Sequence, residues 1–208
     1  RPVARPEFAR ILRPDINVVN ITRPLDTALL DGLAHLAQVE HFHHGARLST
    51  INTDPSDLLV SVHDETLRTF LADDIRLLAG QLGVLLNRQH LHAQLFIQRS
   101  DGCRKIHADN VSIRLLCTYA GPGTDWLPDQ DVNRKYLGAS KLNATAANKR
   151  IIRRGSTLRR TVPGEVLLLK GNAHPGNAGR GAAHRSPPLG ASSAARLVLK
   201  IDEADCGC

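Results

Sequence analysis

The residues best suited to chemistry are a histidine and an aspartate two positions apart, followed far along the chain by a second histidine. His107 and Asp109 lie in the string CRKIHADN, and His184 lies in GRGAAHRSPP. In an extended chain, residues i and i+2 point to the same face, so an imidazole and a carboxylate can reach one cation together. Two His and one carboxylate, with the remaining positions open, form the ligand set of non-haem Fe(II) oxygenases. The pattern predicts a metal site made of His107, Asp109 and His184.

An arginine that follows the second histidine adds a second chemical capacity. Arg196 follows His184 and opens an apolar run over residues 196–201, which predicts a strand. A guanidinium at the mouth of a barrel can hold a carboxylate through paired hydrogen bonds. A dicarboxylic cosubstrate would need such an anchor if its other end chelates the metal.

The elements that must position these residues change from helical to extended near residue 90. Leucines at helical spacing predict helices over 26–40 and 64–86, with Asp64 as an N-cap. Beyond them, alternation predicts a half-buried strand over 91–98. Shorter β-like runs separated by Gly and Pro follow at 112–119, 150–154, 156–161, 166–170 and 195–201. We therefore predict an α+β protein with a double-stranded β-helix, a jelly roll of cupin-like shape, and an N-terminal helical layer.

The domain organisation follows from the length and from this order of elements. A chain of 208 residues is long enough for one domain with a proper core. We expect a single domain over 1–208, with a mostly helical layer at 1–89 and a β-sandwich core at 90–203. A polar, irregular segment at 129–160 is expected to be a mobile basic insertion over the site.

The positive charge is concentrated in one stretch. The chain has a formal net charge of +7, and residues 132–164 contain nine Lys or Arg and no Asp or Glu. Such a local field attracts anionic partners, so an anionic substrate and a nucleic-acid-binding module through 132–164 are both open hypotheses. Nucleic acid is the less favoured of the two, because four Phe, two Tyr and one Trp offer few stacking platforms.

Membrane partners and oxidising compartments receive no support from the sequence. No apolar run approaches the roughly 20 residues that span a bilayer. The four Cys form no CxxC pair, which favours a reducing compartment, and we expect a cytoplasmic protein. The substrate, the native metal and the oligomeric state stay open at this point.

Several alternatives compete with the metal site. His174 is a rival third ligand, although its Gly, Asn and Pro neighbours predict a loop. Arg196 could form a structural ion pair with Asp202 or Glu203. The ten His and the C-terminal Cys-Gly-Cys sequence also allow a non-catalytic, cupin-like protein that binds zinc. Cys103 and Cys117 are predicted to be small buried residues.

The order of HxD, a distant His and then an Arg resembles the Fe(II)/2-oxoglutarate dioxygenase superfamily. The local strings HADN, LLCTY followed by Trp126, and PGEVLLLKG are similar to its prolyl-hydroxylase branch. More narrowly, CRKIHADN, RLLCTYAGPGTDWLP and GRGAAHRSPP resemble a bacterial family of unassigned function. The narrow resemblance covers most of the chain, and the superfamily resemblance covers about residues 90–203.

The resemblance assigns roles to individual positions. It implies Fe(II) held by His107, Asp109 and His184, and 2-oxoglutarate as cosubstrate with its far carboxylate on Arg196. It also implies a further hydrogen bond to that carboxylate from Tyr119 or Thr118. Arg114, which lies beyond Asp109, is a second candidate anchor. The implied activity is an oxygenase or hydroxylase reaction that converts 2-oxoglutarate and O2 to succinate and CO2.

Overall fold

Two antiparallel sheets form the framework of the computed structural model, which describes residues 3–138, 142–189 and 195–203. The strands within these ranges are β1 (Val18–Ile21), β2 (His43–Ser49), β3 (His90–Gln98), β4 (Ile113–Ala120), β5 (Asp125–Trp126), β6 (Arg159–Arg160), β7 (Val166–Lys170), β8 (His184–Arg185) and β9 (Arg196–Glu203). The major sheet has the order β1-β7-β4-β9-β3-β2, and the minor sheet has the order β6-β5-β8.

The two sheets pack against each other. Trp126 of β5 packs on Leu167 and Leu169 of β7, together with Ala182. Strand β4 shows how the sheet separates its two faces. Its residues Ile113, Leu115, Cys117 and Tyr119 enter the main core, and the alternate residues turn toward the minor sheet. The predicted α+β class and double-stranded β-helix are confirmed.

Helices cover the other face of the major sheet. They are α1 (Pro6–Ala9), α2 (Thr27–Val39) and α3 (Glu65–Leu86). A further helix, α4 (Ala144–Ile151), lies between β5 and β6 in the chain and packs in a separate small core. Asp26 and Asp64 cap α2 and α3 through side-chain oxygens that accept from backbone N–H groups of the first turn. The predicted helices 26–40 and 64–86 are confirmed to within one residue.

The long helix α3 supplies much of the core under the sheet. Leu71, Ile75, Leu78 and Leu82 are buried at helical spacing against the sheet. Complete burial of such a side chain contributes about 1.5–3 kcal/mol, so this stripe holds the helical layer in place. The helix ends at Asn87, whose left-handed backbone (φ 51°) accommodates the reversal into β3.

One predicted strand differs from the structure, and two further segments form elements that the sequence pattern did not predict. The strand expected at 150–154 is wrong, because α4 extends to Ile151 from an N-cap at Asn143. Residues 56–62 form a short 3₁₀ helix at Ser56–Leu58 and a turn. The histidines after α2 lead into β2, which pairs along its whole length with β3, a strand that short-range patterns did not reveal.

The basic insertion is packed in the structure. In residues 129–138 and 142–160 the chain forms 3₁₀ helices at Asp129–Asp131 and Arg134–Tyr136, then α4. A small core of Ile106, Leu127, Val132, Ala147, Ile151 and Ala183 attaches it to the segments that precede His107 and His184. Its mobility stays a prediction.

None of the helices within the described ranges combines the length and hydropathy that a membrane span requires.

Candidate metal centre and its pocket

His107, Asp109 and His184 converge in the structure, as predicted. Their ligand atoms lie within 4.8 Å of one another. His184 Nε2 is 3.1 Å from Asp109 Oδ2, and His107 Nε2 is 3.6 Å from Asp109 Oδ1. His184 belongs to β8, and an isolated β-bridge joins it to His107. Two imidazole nitrogens and a carboxylate therefore face one point, which is the donor set expected for a divalent transition metal.

Both imidazole rings are held by hydrogen bonds at Nδ1, which leaves Nε2 of each ring to bind a metal. His107 Nδ1 lies 2.9 Å from the carbonyl of Lys105, and His184 Nδ1 lies 3.0 Å from the carbonyl of Ala182. A carbonyl only accepts, so each Nδ1 carries the proton and donates it. Each Nε2 faces Asp109, the position from which it can coordinate a metal that this carboxylate also binds. This is the outer-shell arrangement that fixes metal-binding histidines in proteins.

Electrostatics favour the charge states that bind metal. Burial raises the pKa of Asp109, but the hydrogen bond and charge of His184 and the charge of Arg114 outweigh it, so the pKa lies well below its usual range. Burial and the neighbouring charge of His184 lower the pKa of His107. The carboxylate is thus ionised and the His107 imidazole is neutral at pH 7, as metal coordination requires.

Arg114 supports the carboxylate ligand and is not a free anchor. Its Nη1 donates to Asp109 Oδ2, while Nε and Nη2 each donate to Asp202 at 2.7 Å. A guanidinium occupied by two carboxylates has little capacity for a third. The structure therefore assigns Arg114 to the orientation of Asp109, and the sequence-based suggestion of a second cosubstrate anchor is not supported.

The histidines open into a small pocket between the sheets. Its volume is about 140 Å³. It is lined by Phe96, Gln98, Cys103, His107, Arg114, Leu116, Thr124, His184, Arg185, Ser186, Arg196, Val198 and Lys200. Drug-sized ligands occupy pockets of roughly 300–1,000 Å³, so this space suits a compact metabolite.

Arg196 is the most distinctive group in the pocket. It is 2% exposed, and it donates to Gln98 Oε1 at 2.8 Å and to the hydroxyls of Thr118 and Thr124 at 3.3 and 3.2 Å. Its Nε has no partner. Burial lowers its pKa to about 10, against the opposing charge of Asp125, so it stays protonated at neutral pH.

No carboxylate of the described residues forms an ion pair with Arg196. Asp202 pairs with Arg114, and Glu203 pairs with Arg88. The alternative of a structural ion pair with either acid is therefore wrong. A buried cation is costly without a compensating charge, so this guanidinium is suited to an anion that enters the pocket.

A glycine allows the turn after β4 to pack closely against the backbone that leads into Arg196. Gly121 has φ +77°, and a Cβ there would lie 2.1 Å from the carbonyl oxygen of Ala195, the residue before Arg196. Only glycine fits both the backbone conformation and the space.

Thr118 and Tyr119 lie on opposite faces of β4. Thr118 lies on the face of β4 that turns toward the minor sheet, and its hydroxyl accepts from Arg196, which lines the pocket. Tyr119 is fully buried in the main core, where its hydroxyl donates to Asp74 Oδ2 at 2.7 Å. The structure therefore brings Thr118 to the site and leaves Tyr119 outside it, because consecutive residues of a strand point to opposite sides.

Two other sequence-based assignments differ from the observed positions. His174 contacts Ser112 Oγ at 3.1 Å and is not part of the three-residue cluster. Cys117 is buried as predicted, but Cys103 is exposed, and its Sγ lies 3.5 Å from His107 Nδ1. Cys206 and Cys208 lie outside the described residues.

Five polar residues of the pocket were missed at the sequence level. They line it together with the predicted residues and are Gln98, Thr124, Arg185, Ser186 and Lys200. The alternation of β3 placed Gln98 on the polar face of its strand, so periodicity could have indicated that residue. Nothing in the sequence shows that this face turns toward the minor sheet.

Asn148 is a further contributor that sequence reasoning missed. It is buried on α4, and its side chain accepts from the N–H of Ile106 at 2.7 Å and donates to the carbonyl of Arg104 at 2.8 Å. It thereby holds the backbone that leads into His107. The small core around Ile106 and Ala183 fixes the residues immediately before both histidines.

The basic stretch presents its charges on the outside of this small core. Lys135, Lys149, Arg150, Arg153 and Arg154 are exposed. Lys141 lies outside the described residues. The stretch retains its cationic surface, and nucleic-acid binding through it stays a prediction.

Comparison with solved structures finds similar folds. The iron-bound crystal structure of HygX from Streptomyces hygroscopicus has a TM-score of 0.53 at 11% identity, covering 98% of this chain and 88% of that one. HygX with nickel and 2-oxoglutarate bound gives 0.51 at 12% identity, with 99% and 89% covered. A Pseudomonas putida prolyl-4-hydroxylase gives 0.46 at 11% identity, with 94% and 96% covered.

Comparison with curated protein sequences finds no match. The predicted resemblance to Fe(II)/2-oxoglutarate dioxygenases is confirmed at the level of the fold. Residues 5–202 match the family described as "Protein of unknown function (DUF1826)", and the chain belongs to this family.

Proposed function

We propose that the protein is an Fe(II)- and 2-oxoglutarate-dependent oxygenase. The observation that carries the proposal is the buried Arg196 guanidinium, which has no carboxylate partner among the described residues and lines the same pocket as His107 and His184. The pocket combines three side chains that can hold one metal ion with a guanidinium that has no carboxylate partner. It therefore suits a dicarboxylate that contacts the metal at one end and Arg196 at the other. The similarity of the fold to HygX with nickel and 2-oxoglutarate bound supports this assignment.

The residues present fit a bound Fe(II). His107 and His184 would each supply Nε2, and Asp109 would supply a carboxylate oxygen. Three protein ligands leave further coordination positions for a cosubstrate and for O2. The carbonyls of Lys105 and Ala182 keep both rings in the metal-binding tautomer, while Arg114 keeps Asp109 ionised and oriented.

The same pocket fits one end of 2-oxoglutarate at Arg196. Its guanidinium and the hydroxyls of Thr118 and Thr124 form a polar group in an otherwise buried position. A carboxylate that accepts from Arg196 would partner its unsatisfied Nε and neutralise its charge. Gln98 fixes the orientation of the guanidinium by accepting from Nη1.

When bound, iron and 2-oxoglutarate would supply the oxidising power for C–H hydroxylation, with succinate and CO2 as the co-products. The chain's own contribution is placement. Phe96, Leu116 and Val198 give the pocket apolar walls that limit water around the reacting centre. The polar groups at Arg196 hold one end of the cosubstrate in a fixed orientation.

The substrate is proposed to carry a negative charge. Lys200 and Arg185 both line the pocket. Arg185 is engaged with Asp125, whereas Lys200 has no ion pair with any residue in the described ranges. The Lys200 ammonium is half-buried in the same pocket as His107 and His184, so it is a suitable contact for an anionic group of the substrate.

The proposal is tested by loading the purified protein with Fe(II) under anaerobic conditions and measuring the binding of 2-oxoglutarate. O2 is then admitted and succinate is quantified in the same sample. We expect Fe(II)-dependent binding and succinate formation in the wild type and in His174→Ala, and loss of both in His107→Ala. Absence of both with iron confirmed in the wild type would contradict the proposal. That result would favour the non-catalytic zinc-binding alternative.

A further inference from the structure

A second and larger depression lies along one edge of the sandwich, away from the metal pocket. It has a volume of about 560 Å³ and is bordered by β1 on one side and by β6 on the other. Trp126 lines it between the two strands, and Ile16 and Val162 add apolar surface. We call it the edge groove. It shares no lining residue with the metal pocket.

The edge groove collects buried polar atoms that lack partners. In the described residues, four buried side-chain atoms have no hydrogen-bond partner, namely Asn17 Oδ1, Asn20 Oδ1, Trp126 Nε1 and Arg196 Nε. The first three belong to residues that line the edge groove, and the fourth belongs to the metal pocket. Unpartnered buried groups are rare and costly, about 1–3 kcal/mol each, so their concentration indicates a polar ligand.

The backbone of β1 is also unpaired on this side. Strand β1 forms the end of the major sheet and pairs only with β7. Lys170 N donates to Asn17 O, which makes Asn17 and Lys170 a hydrogen-bonded pair of the antiparallel ladder. Because such pairs alternate, the N–H and C=O groups of Val18 and Asn20 point away from β7, toward the free edge. An exposed edge of this kind can accept a further strand.

Two arginines of the edge groove carry charges that no described carboxylate pairs. Of its acidic residues, Asp15 pairs with Arg13 and Asp129 pairs with Arg134, while Glu165 is buried and accepts hydrogen bonds from the neutral side chains of Asn20 and Thr22. Arg10 and Arg159, in contrast, form no ion pair with any residue of the described ranges. The Arg159 guanidinium lies 5.2 Å from the centre of the Trp126 ring. The edge groove therefore favours a ligand that carries a carboxylate.

Trp126 forms the wall between the two cavities. It packs with Leu167, Leu169 and Leu116, and Leu116 also lines the metal pocket. A ligand in the edge groove would thus lie behind the metal pocket and would not contact the metal ligands.

We propose that the edge groove is a docking site for an extended peptide segment bearing acidic side chains, which adds a strand to the free edge of β1. The main chain of the segment pairs with Val18 and Asn20. Its carboxylates meet Arg10 and Arg159, and its polar groups reach the unpartnered atoms of Asn17, Asn20 and Trp126. The docking site is independent of the proposed oxygenase activity, because no metal ligand takes part in it.

Trp126 is the chain's one tryptophan, so its fluorescence reports directly on the edge groove. The probe is a synthetic heptapeptide, acetyl-Thr-Val-Glu-Val-Asp-Val-Thr-amide, titrated into the full-length protein. We expect saturable binding with a change in Trp126 emission, and slowed amide hydrogen exchange at Val18 and Asn20. Absence of both changes at millimolar peptide would overturn the proposal.

Two variants locate the contacts. Val18→Pro removes an N–H that faces the free edge and that β7 does not use, a substitution that edge strands tolerate. It is expected to weaken binding at least tenfold. Arg159→Glu is expected to weaken binding of the acidic peptide by a similar factor. It should weaken binding of a control peptide with Gln and Asn in place of Glu and Asp by less. Unchanged affinity in both variants would contradict docking on β1.

A matched pair of peptides tests strand addition to β1 without any substitution in the protein. In one peptide the backbone nitrogens of odd-numbered positions are methylated, and in the other those of even-numbered positions. An added strand uses only one of these two sets to pair with β1. One peptide is therefore expected to lose binding while the other retains it. Equal binding of both would exclude strand addition.

Discussion

His107 and His184 are joined through their backbones as well as through their side chains. The N–H of His107 donates to the carbonyl of His184, and the N–H of His184 donates to the carbonyl of His107, both at 3.0 Å. Their ring centroids are 4.5 Å apart. Two ligands that lie far apart in the sequence are therefore placed by one rigid β-bridge, which limits the reorganisation needed when a metal binds.

Removal of a triad residue should abolish tight metal binding. His107→Ala leaves only two of the three donors, so we expect the affinity for Fe(II) or Ni(II) to fall by more than about 100-fold, beyond the loss usual for an outer-shell change. Calorimetric titration under anaerobic conditions measures it. His174→Ala is the matched control and should retain wild-type affinity, because that histidine lies outside the cluster. Equal losses of metal affinity in the two variants would argue against a metal site made of His107, Asp109 and His184.

Truncation of the buried arginine should act on the cosubstrate and not on the metal. Arg196→Ala removes a charge-assisted contact worth about 1.5–3 kcal/mol, or about 10- to 150-fold in 2-oxoglutarate affinity. The comparison is Arg160→Ala, an exposed arginine that pairs with Asp125. Binding of 2-oxoglutarate to the Ni(II)-loaded proteins measures the difference. An unchanged affinity in Arg196→Ala would remove this residue as the carboxylate anchor.

Asn148 should couple the basic insertion to the metal centre. Asn148→Ala leaves the buried N–H of Ile106 without its acceptor, which costs about 1–3 kcal/mol in the free energy of unfolding. It also releases the backbone before His107, and we expect metal affinity to fall about tenfold, as for an outer-shell residue.

The control for Asn148 comes from the same helix. Asn143→Ala removes the N-cap of α4, at a cost of about 0.5–2 kcal/mol, without touching the metal-bearing segment. Urea unfolding and metal titration of both variants separate the two effects. Similar metal affinities in the two variants would reduce Asn148 to a purely structural residue.

Substitutions of the neighbouring residues Tyr119 and Thr118 should affect different properties, the free energy of unfolding for Tyr119 and the affinity for 2-oxoglutarate for Thr118. Tyr119→Phe removes the hydroxyl that donates to the buried Asp74, so the free energy of unfolding should fall by about 1.5–3 kcal/mol while 2-oxoglutarate affinity stays within twofold. Thr118→Val removes an acceptor of Arg196, and its effect should appear in 2-oxoglutarate affinity. A selective loss of that affinity in Tyr119→Phe would restore Tyr119 to the site.

The two described cysteines should differ in reactivity. Burial, reinforced by the charge of Asp74 and opposed by that of Arg23, raises the pKa of Cys117 to about 12. At pH 8 only about one thiol in 10⁴ is then ionised, and reaction requires the thiolate. In a Cys206→Ser, Cys208→Ser protein, a thiol reagent should modify Cys103 alone at pH 8 and reach Cys117 only in urea. Fast modification of two thiols in the native protein would contradict this prediction.

The sequence by itself predicted the convergence of His107, Asp109 and His184 and the class of fold, and the structure confirms both. His107 and Asp109 could be paired because i and i+2 share a face in an extended chain, a rule that needs no tertiary information. The period-two pattern of residues 91–98 and the leucine spacing of residues 64–86 identified β3 and α3, because each element has to bury one face.

Only the tertiary structure decided which polar groups were already occupied. The sequence offered Arg196 as the anchor and Arg114 as a second candidate. The structure shows that Asp109 and Asp202 pair with Arg114, whereas no described carboxylate pairs with Arg196. The choice between Thr118 and Tyr119 depended on which face of β4 turns toward the minor sheet. Strand β2, the contact of Asn148 with the segment before His107 and the free edge of β1 likewise follow from pairing between distant segments. Local propensity carries no information about such pairing, because its energy comes from contacts that form only when the chain is folded.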